Sequence, residues 1–147
     1  MKRYIGVLIP AVGFVLSVGI AAWLIHGYMP MDRLIYLILP HRVIRSVVLA
    51  VMLCLLIAVV VVGIRALRDR DGRFNRELLA LALLPILPGG MGVYERIESS
   101  RSFLSQYDVI TFAVRAPLLI EAALVAAMAF LISTVAMTFR ALGDRRG

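Results

Sequence analysis

The residue best placed to do chemistry is Glu121, a carboxylate inside the apolar run from Ala116 to Phe139. Moving such a group into hydrocarbon costs about 2.5–3.5 kcal/mol on insertion scales, so an intramembrane acid is by default functional and faces protein or water. The hydroxyls of Ser133 and Thr134 follow it, and Arg115 precedes it. We expect Glu121, Arg115, Ser133 and Thr134 to supply an ion pathway or a polar contact within the membrane.

Arg115 is the cation nearest to Glu121 in the apolar run. Six residues separate them, which is about 9 Å along a continuous helix and places them on different faces. Arg115 would therefore pair with Glu121 of a neighbouring subunit. The alternative is a neutral Glu121 that donates a hydrogen bond to the main chain of an adjacent helix.

The composition predicts an all-α integral membrane protein. The chain has 147 residues, of which 62% are hydrophobic and 17% charged, and its mean hydropathy is +0.95. Its net charge of +7 comes from arginines clustered between apolar runs, a pattern typical of membrane-surface loops and not of nucleic-acid binding. Cys54 lies inside an apolar run and predicts no disulfide framework. No residue pattern indicates an enzyme, a cofactor or a metal site.

Four apolar runs predict four transmembrane helices in a single membrane domain, residues 1–147. We place the spans at about 4–26, 46–64, 78–94 and 109–139, with a basic cytoplasmic loop at 65–77. The apolar segment 34–39 is too short to cross and is expected to lie in the interface. With both termini in the cytoplasm, ten Lys and Arg lie inside and six outside, which favours the N-in, C-in orientation.

The third span contains the sequence PILPGGMG, residues 85–92. Prolines remove main-chain donors and glycines allow close approach, so this helix is expected to be kinked or broken at PILPGG. Gly89, Gly90 and Gly92 predict either tight helix packing or a hinge in a channel lining. Since 78–94 is about the minimum length for crossing, a re-entrant segment stays open as an alternative. A polar connection, 95–108, is expected to follow.

The last helix carries a stripe of small side chains at helical spacing. The stripe consists of Ala122, Ala126, Ala129, Ser133 and Ala136. Small residues let helices approach closely, and in lipid this packing replaces the hydrophobic drive for association. Pro117 lies four residues before Glu121 and is expected to loosen that turn. The stripe predicts a helix that packs against others in an assembly.

The residues around Glu121 resemble the final helix of the MotA/TolQ/ExbB proton-channel family. The stretch APLLIEAALVAAMAFLISTVAMTFRAL matches the family pattern at Ala116, Pro117, Ile120, Glu121 and Ala122. The stretch LPGGMGVYERI, residues 87–97, is loosely similar to the glycine-rich helix that precedes it in the family. The resemblance covers about sixty residues at the C-terminal end. The family's polar position in the glycine-rich step falls here on Gly90 or Met91.

The resemblance implies a subunit of an oligomeric, ion-driven, stator-like complex in the bacterial cytoplasmic membrane. It further implies a homo-oligomer, typically a pentamer, around a single-span partner with an intramembrane Asp. The alternative is a non-conducting scaffold or accessory subunit of a larger membrane complex. A small proton-coupled transporter is less favoured, because the polar lining that a substrate needs is sparse.

Overall fold

The computed structural model describes residues 2–28, 43–68, 74–106 and 111–143. Within these ranges the chain forms the helices α1 (Lys2–Tyr28), α2 (Val43–Arg68), α3 (Asn75–Leu83), α4 (Ile86–Leu104) and α5 (Phe112–Gly143). The predicted interfacial segment 34–39 lies outside the described residues, as do parts of the predicted loop 65–77 and of the connection 95–108.

Four stretches are long and apolar enough to cross a membrane, which confirms the predicted all-α, four-span architecture. They are Tyr4–Tyr28, Arg45–Arg68, Asn75–Ser102 and Arg115–Gly143. The chain is therefore a multi-pass membrane protein. The four stretches place Tyr4 and Gly143 on the same side of the bilayer, and we call this side the terminal side.

The last helix, α5, is the centre of the bundle. It packs against each of the other four helices, whereas α1 packs mainly on α5 alone. Ile120, Ile132 and Ala136 of α5 are fully buried. Most large apolar side chains of α1, such as Leu8 and Ile9, are exposed, as expected of a helix that faces lipid.

The third span is broken at its first proline, Pro85. Helix α3 ends at Leu83 and α4 begins at Ile86. Pro88 cannot donate to the carbonyl of Leu84, and the Leu87 N–H donates to that carbonyl instead at 3.3 Å. The break predicted at PILPGG is thus present, and main-chain groups beside it are satisfied locally.

The third span is also longer than the predicted 78–94. Residues from Glu95 onward continue α4 as far as Leu104, where the sequence suggested a polar connection. The helix can continue through Glu95 and Arg96 because their charges meet opposite charges on neighbouring helices. The span is long enough to cross the bilayer.

Small residues bring α4 against α5. A Cβ atom added to Gly89 would lie 2.8 Å from the Cβ of Ala129, and one added to Gly92 would lie 2.9 Å from Cγ1 of Val125. Gly90 differs, since no atom lies within 4 Å of its added Cβ. Gly89 and Gly92 therefore allow α4 to pack closely against α5, whereas Gly90 faces open space.

Candidate functional site

The site is a closed ring of four ion pairs that joins three membrane spans. Arg45 of α2 lies 3.0 Å from Glu121 of α5, measured from Nη1 to Oε2, and 3.5 Å from Glu95 of α4. Arg96 of α4 lies 3.4 Å from Glu121 and 3.9 Å from Glu95. Each arginine thus contacts both glutamates, and positive and negative groups alternate around the ring.

The ring is largely shielded from its surroundings. The four side chains are between 11% and 15% exposed. Two positive and two negative charges give the ring a net charge of zero. Burying a charge is costly unless it is paired, and here every charge has two opposite neighbours. The pairing explains how charged groups persist in an apolar bundle.

Local hydrogen bonds position the members that α4 contributes. Arg96 donates from Nη1 to the carbonyl of Gly92, one turn earlier, at 3.0 Å. Ser99 donates its hydroxyl to Oε1 of Glu95 at 2.9 Å. Both contacts join residues four apart, which lie on one face of a helix. They hold two adjacent side chains in orientations that reach α2 and α5.

The ring lies toward the side opposite the terminal side. Arg45 is the first residue of the second span, and Glu121 lies six residues inside the fourth. An aromatic cluster of Trp23, Tyr28 and Phe112 lies at the same end of the bundle, with ring centroids 5.0–6.4 Å apart. Aromatic residues are enriched at the membrane–water interface. The ring therefore lies near this interface, deeper in the membrane than the aromatic cluster.

The chemistry of the ring is that of a fixed ionic clamp. Each carboxylate lies between two guanidinium groups, so removing any one charge would leave buried groups of opposite charge short of a partner. The same contacts tie α2, α4 and α5 together at one depth.

The sequence identified Glu121 but neither of the cations that bind it. Arg115, the expected cation, is exposed, and the arginines that contact Glu121 are Arg45 and Arg96 of the same chain. Glu95 was also missed. Arg45 directly precedes an apolar run and Glu95 and Arg96 directly follow one, but whether these charges lie at the same depth depends on how long each helix is.

The two predicted hydroxyls lie apart from the ring. Ser133 is twelve residues from Glu121, about 18 Å along the helix. It donates to the carbonyl of Ala82 at 2.7 Å, across to α3, and also lies 3.1 Å from the carbonyl of Ala129. Thr134 donates to the carbonyl of Phe130 in its own helix at 2.7 Å. Both hydroxyls therefore donate their hydrogen bonds to main-chain carbonyl groups.

The stripe of small residues on α5 is used largely within the chain. Ala136 is fully buried and Ala129 meets Gly89, while Pro117 and Ala122 are half-buried. Ala126 lines an apolar groove of about 680 Å³ between α1, α3, α4 and α5, which we call the membrane groove. The stripe therefore builds the bundle and contributes one wall of this groove.

No metal site accompanies the ring in the part of the chain that the structure describes: no group of three or more His, Cys, Asp or Glu side chains could hold an ion there. No family model, curated protein or solved structure matches the chain.

Proposed function

We propose that the protein is a non-conducting scaffold or accessory subunit of a larger complex in a bacterial cytoplasmic membrane. The observation that carries the proposal is the ring of ion pairs. Glu121 contacts Arg45 at 3.0 Å and Arg96 at 3.4 Å, and it acts as a structural anion that fixes the relative positions of three spans. Such a clamp suits a subunit that presents a fixed surface to partners.

The surroundings of Glu121 also favour a structural role. An ion pathway requires polar groups or water along the membrane normal. Between the ring and Ser133 the central helix carries only alanine, leucine, valine, methionine, phenylalanine and isoleucine. The hydroxyls of Ser133 and Thr134 donate to main-chain carbonyls. Among the described residues, the charged groups that contact Glu121 are Arg45 and Arg96 of the ring.

The second candidate is a subunit of an ion-driven, stator-like complex. It is favoured by the resemblance of residues 116–142 to the MotA/TolQ/ExbB family and by Ala126, a member of the small-residue stripe that opens on the membrane groove. In this case the chain would form a homo-oligomer, such as a pentamer, around a single-span partner with an intramembrane Asp. Glu121 would then lie beside the ion path.

Proton flux into vesicles distinguishes the two candidates. The complex would be copurified from its native membrane, its subunit masses measured, and the assembly reconstituted with an internal pH dye under an imposed potential. We expect flux no greater than in protein-free vesicles. Flux that is present in the wild type and lost in Glu121→Gln, yet retained in the exposed control Glu98→Gln, would instead establish the ion-driven complex.

A further inference from the structure

The membrane groove is apolar along its length. Its walls include Gly6 and Ile9 of α1, Leu83 of α3, Tyr94 of α4 and Phe130 of α5. The hydroxyl of a lining serine is already donated to the main chain of α3. The groove therefore offers contacts to hydrocarbon and few hydrogen bonds.

The groove runs from the terminal side of the bundle toward the ring of ion pairs. On α1 it is lined by residues 6–10, in the first third of that helix, and on α5 by residues from Ala126 to Met137. Eleven residues of helix correspond to about 16.5 Å, close to half of the roughly 30 Å hydrocarbon core. On the third span the lining runs from Leu79 to Ile97, eighteen residues or about 27 Å, so the groove reaches beyond one leaflet.

Two arginines flank the end of the groove at the membrane surface. Arg76 lies three residues before the lining residue Leu79, and Arg140 lies three residues after Met137. Residues three apart share a helix face, so both arginines extend the lined faces toward the surface. Glu77, next to Arg76, is exposed and reduces the local positive charge.

The helix ends that carry these arginines meet in the structure. The side-chain oxygen of Asn75, at the start of α3, would lie 3.7 Å from a Cβ atom added to Gly143 at the end of α5. Arg76 is the residue after Asn75, and Arg140 lies three residues before Gly143. An apolar groove that ends between two cations matches the two parts of an acidic lipid.

We infer that the membrane groove binds an acyl chain of an anionic phospholipid whose headgroup lies between Arg76 and Arg140. Basic clusters beside membrane spans attract acidic lipids, and the lining accepts hydrocarbon. This inference goes beyond the scaffold role and does not depend on it.

Native mass spectrometry of the full chain in mild detergent tests the inference. The probes are dioleoyl phosphatidylglycerol and dioleoyl phosphatidylcholine, which differ in charge but not in acyl chains. We expect the wild type to retain the anionic lipid about 30-fold more strongly, the effect of two arginines near a membrane surface. The double variant Arg76→Gln/Arg140→Gln should lose this preference. The matched variant Arg65→Gln/Arg68→Gln, on α2 of the same side, should keep it.

A second substitution tests the groove itself. Gly90→Leu places a leucine side chain in the groove, where an added Cβ meets no atom within 4 Å. The control is Gly19→Leu on α1, which adds the same side chain at an equally open position outside the groove. Gly90→Leu should lose retained lipid at least tenfold by filling the site, and Gly19→Leu should not. Equal retention of both lipids by the wild type, or unchanged retention in Gly90→Leu, overturns the inference.

Photocrosslinking of the wild type makes the test independent of variant folding. A phosphatidylglycerol with a photoreactive acyl chain would be mixed with the full chain, and the adducts mapped by peptide mass. Adducts are expected on residues 79–97 and 126–137. Adducts spread equally over the exposed face of α2, or a stoichiometric copurified membrane helix bound in the groove, would refute lipid binding there.

Discussion

Removing the charge of Glu121 should cost the bundle a large part of its stability. At an effective dielectric constant of about 20, the contacts at 3.0 and 3.4 Å each amount to roughly 5 kcal/mol of attraction before desolvation is subtracted. Removing one partner from a buried pair typically costs about 3–5 kcal/mol. Arg45 and Arg96 keep contacts with Glu95 at 3.5 and 3.9 Å. We therefore expect Glu121→Gln to lower the free energy of unfolding by about 3 kcal/mol, the lower end of that range.

The free energy of unfolding can be measured by far-UV circular dichroism during titration with sodium dodecyl sulfate in mixed micelles. The matched control is Glu98→Gln, since Glu98 forms a solvent-exposed pair with Arg101 at 3.8 Å. Exposed pairs contribute little, so the control should stay within about 0.5 kcal/mol of the wild type. If Glu121→Gln and Glu98→Gln had the same free energy of unfolding, the ring would not stabilise the bundle.

Three further outcomes follow from the described contacts. In a double-mutant cycle, Arg45→Gln combined with Glu121→Gln should lose less stability than the sum of the single variants, because the second change removes a charge that the first left short of a partner; strict additivity would contradict the ring. Ser133→Ala should lose about 1 kcal/mol in the same unfolding assay, through its interhelical hydrogen bond, and Thr134→Ala, whose bond lies within one helix, should lose less. Gly63→Val should lower the midpoint of thermal unfolding, since a Cβ atom at this position meets the aromatic ring of a phenylalanine on α5. Gly19→Val should leave the midpoint unchanged. An equal decrease in both variants would mean that the helix propensity of valine, and not packing, sets the decrease.

The sequence was sufficient for the architecture because hydropathy is a cumulative signal. Four long apolar runs define four spans whatever the details of their ends, and the prolines of PILPGG locate the break in the third. The small-residue spacing on the last helix correctly indicates a packing helix. Which surface it packs against is not in that spacing, and the structure brings Ala129 and Ala136 against helices of the same chain.

The ring could not be predicted because it depends on the relative depth of three helices. Glu95 and Arg96 follow an apolar run of minimal length, so ending the span at Tyr94 assigned both to a connection. Arg45 likewise immediately precedes a span and resembles a loop residue. Only the extension of α4 to Leu104 places all of these charges level with Glu121. An acid in one helix is thus a reason to search the ends of the others for its counter-charge.

The central claim, that Glu121 is a clamped anion and not a proton carrier, can be tested by infrared difference spectroscopy. Spectra of the wild type and Glu121→Gln would be compared at pH 7 in lipid, with Glu98→Gln as the reference for an exposed carboxylate. We predict that Glu121→Gln removes an antisymmetric carboxylate stretch and no band of a protonated carboxyl group. Loss of a protonated carboxyl band in Glu121→Gln would contradict the account.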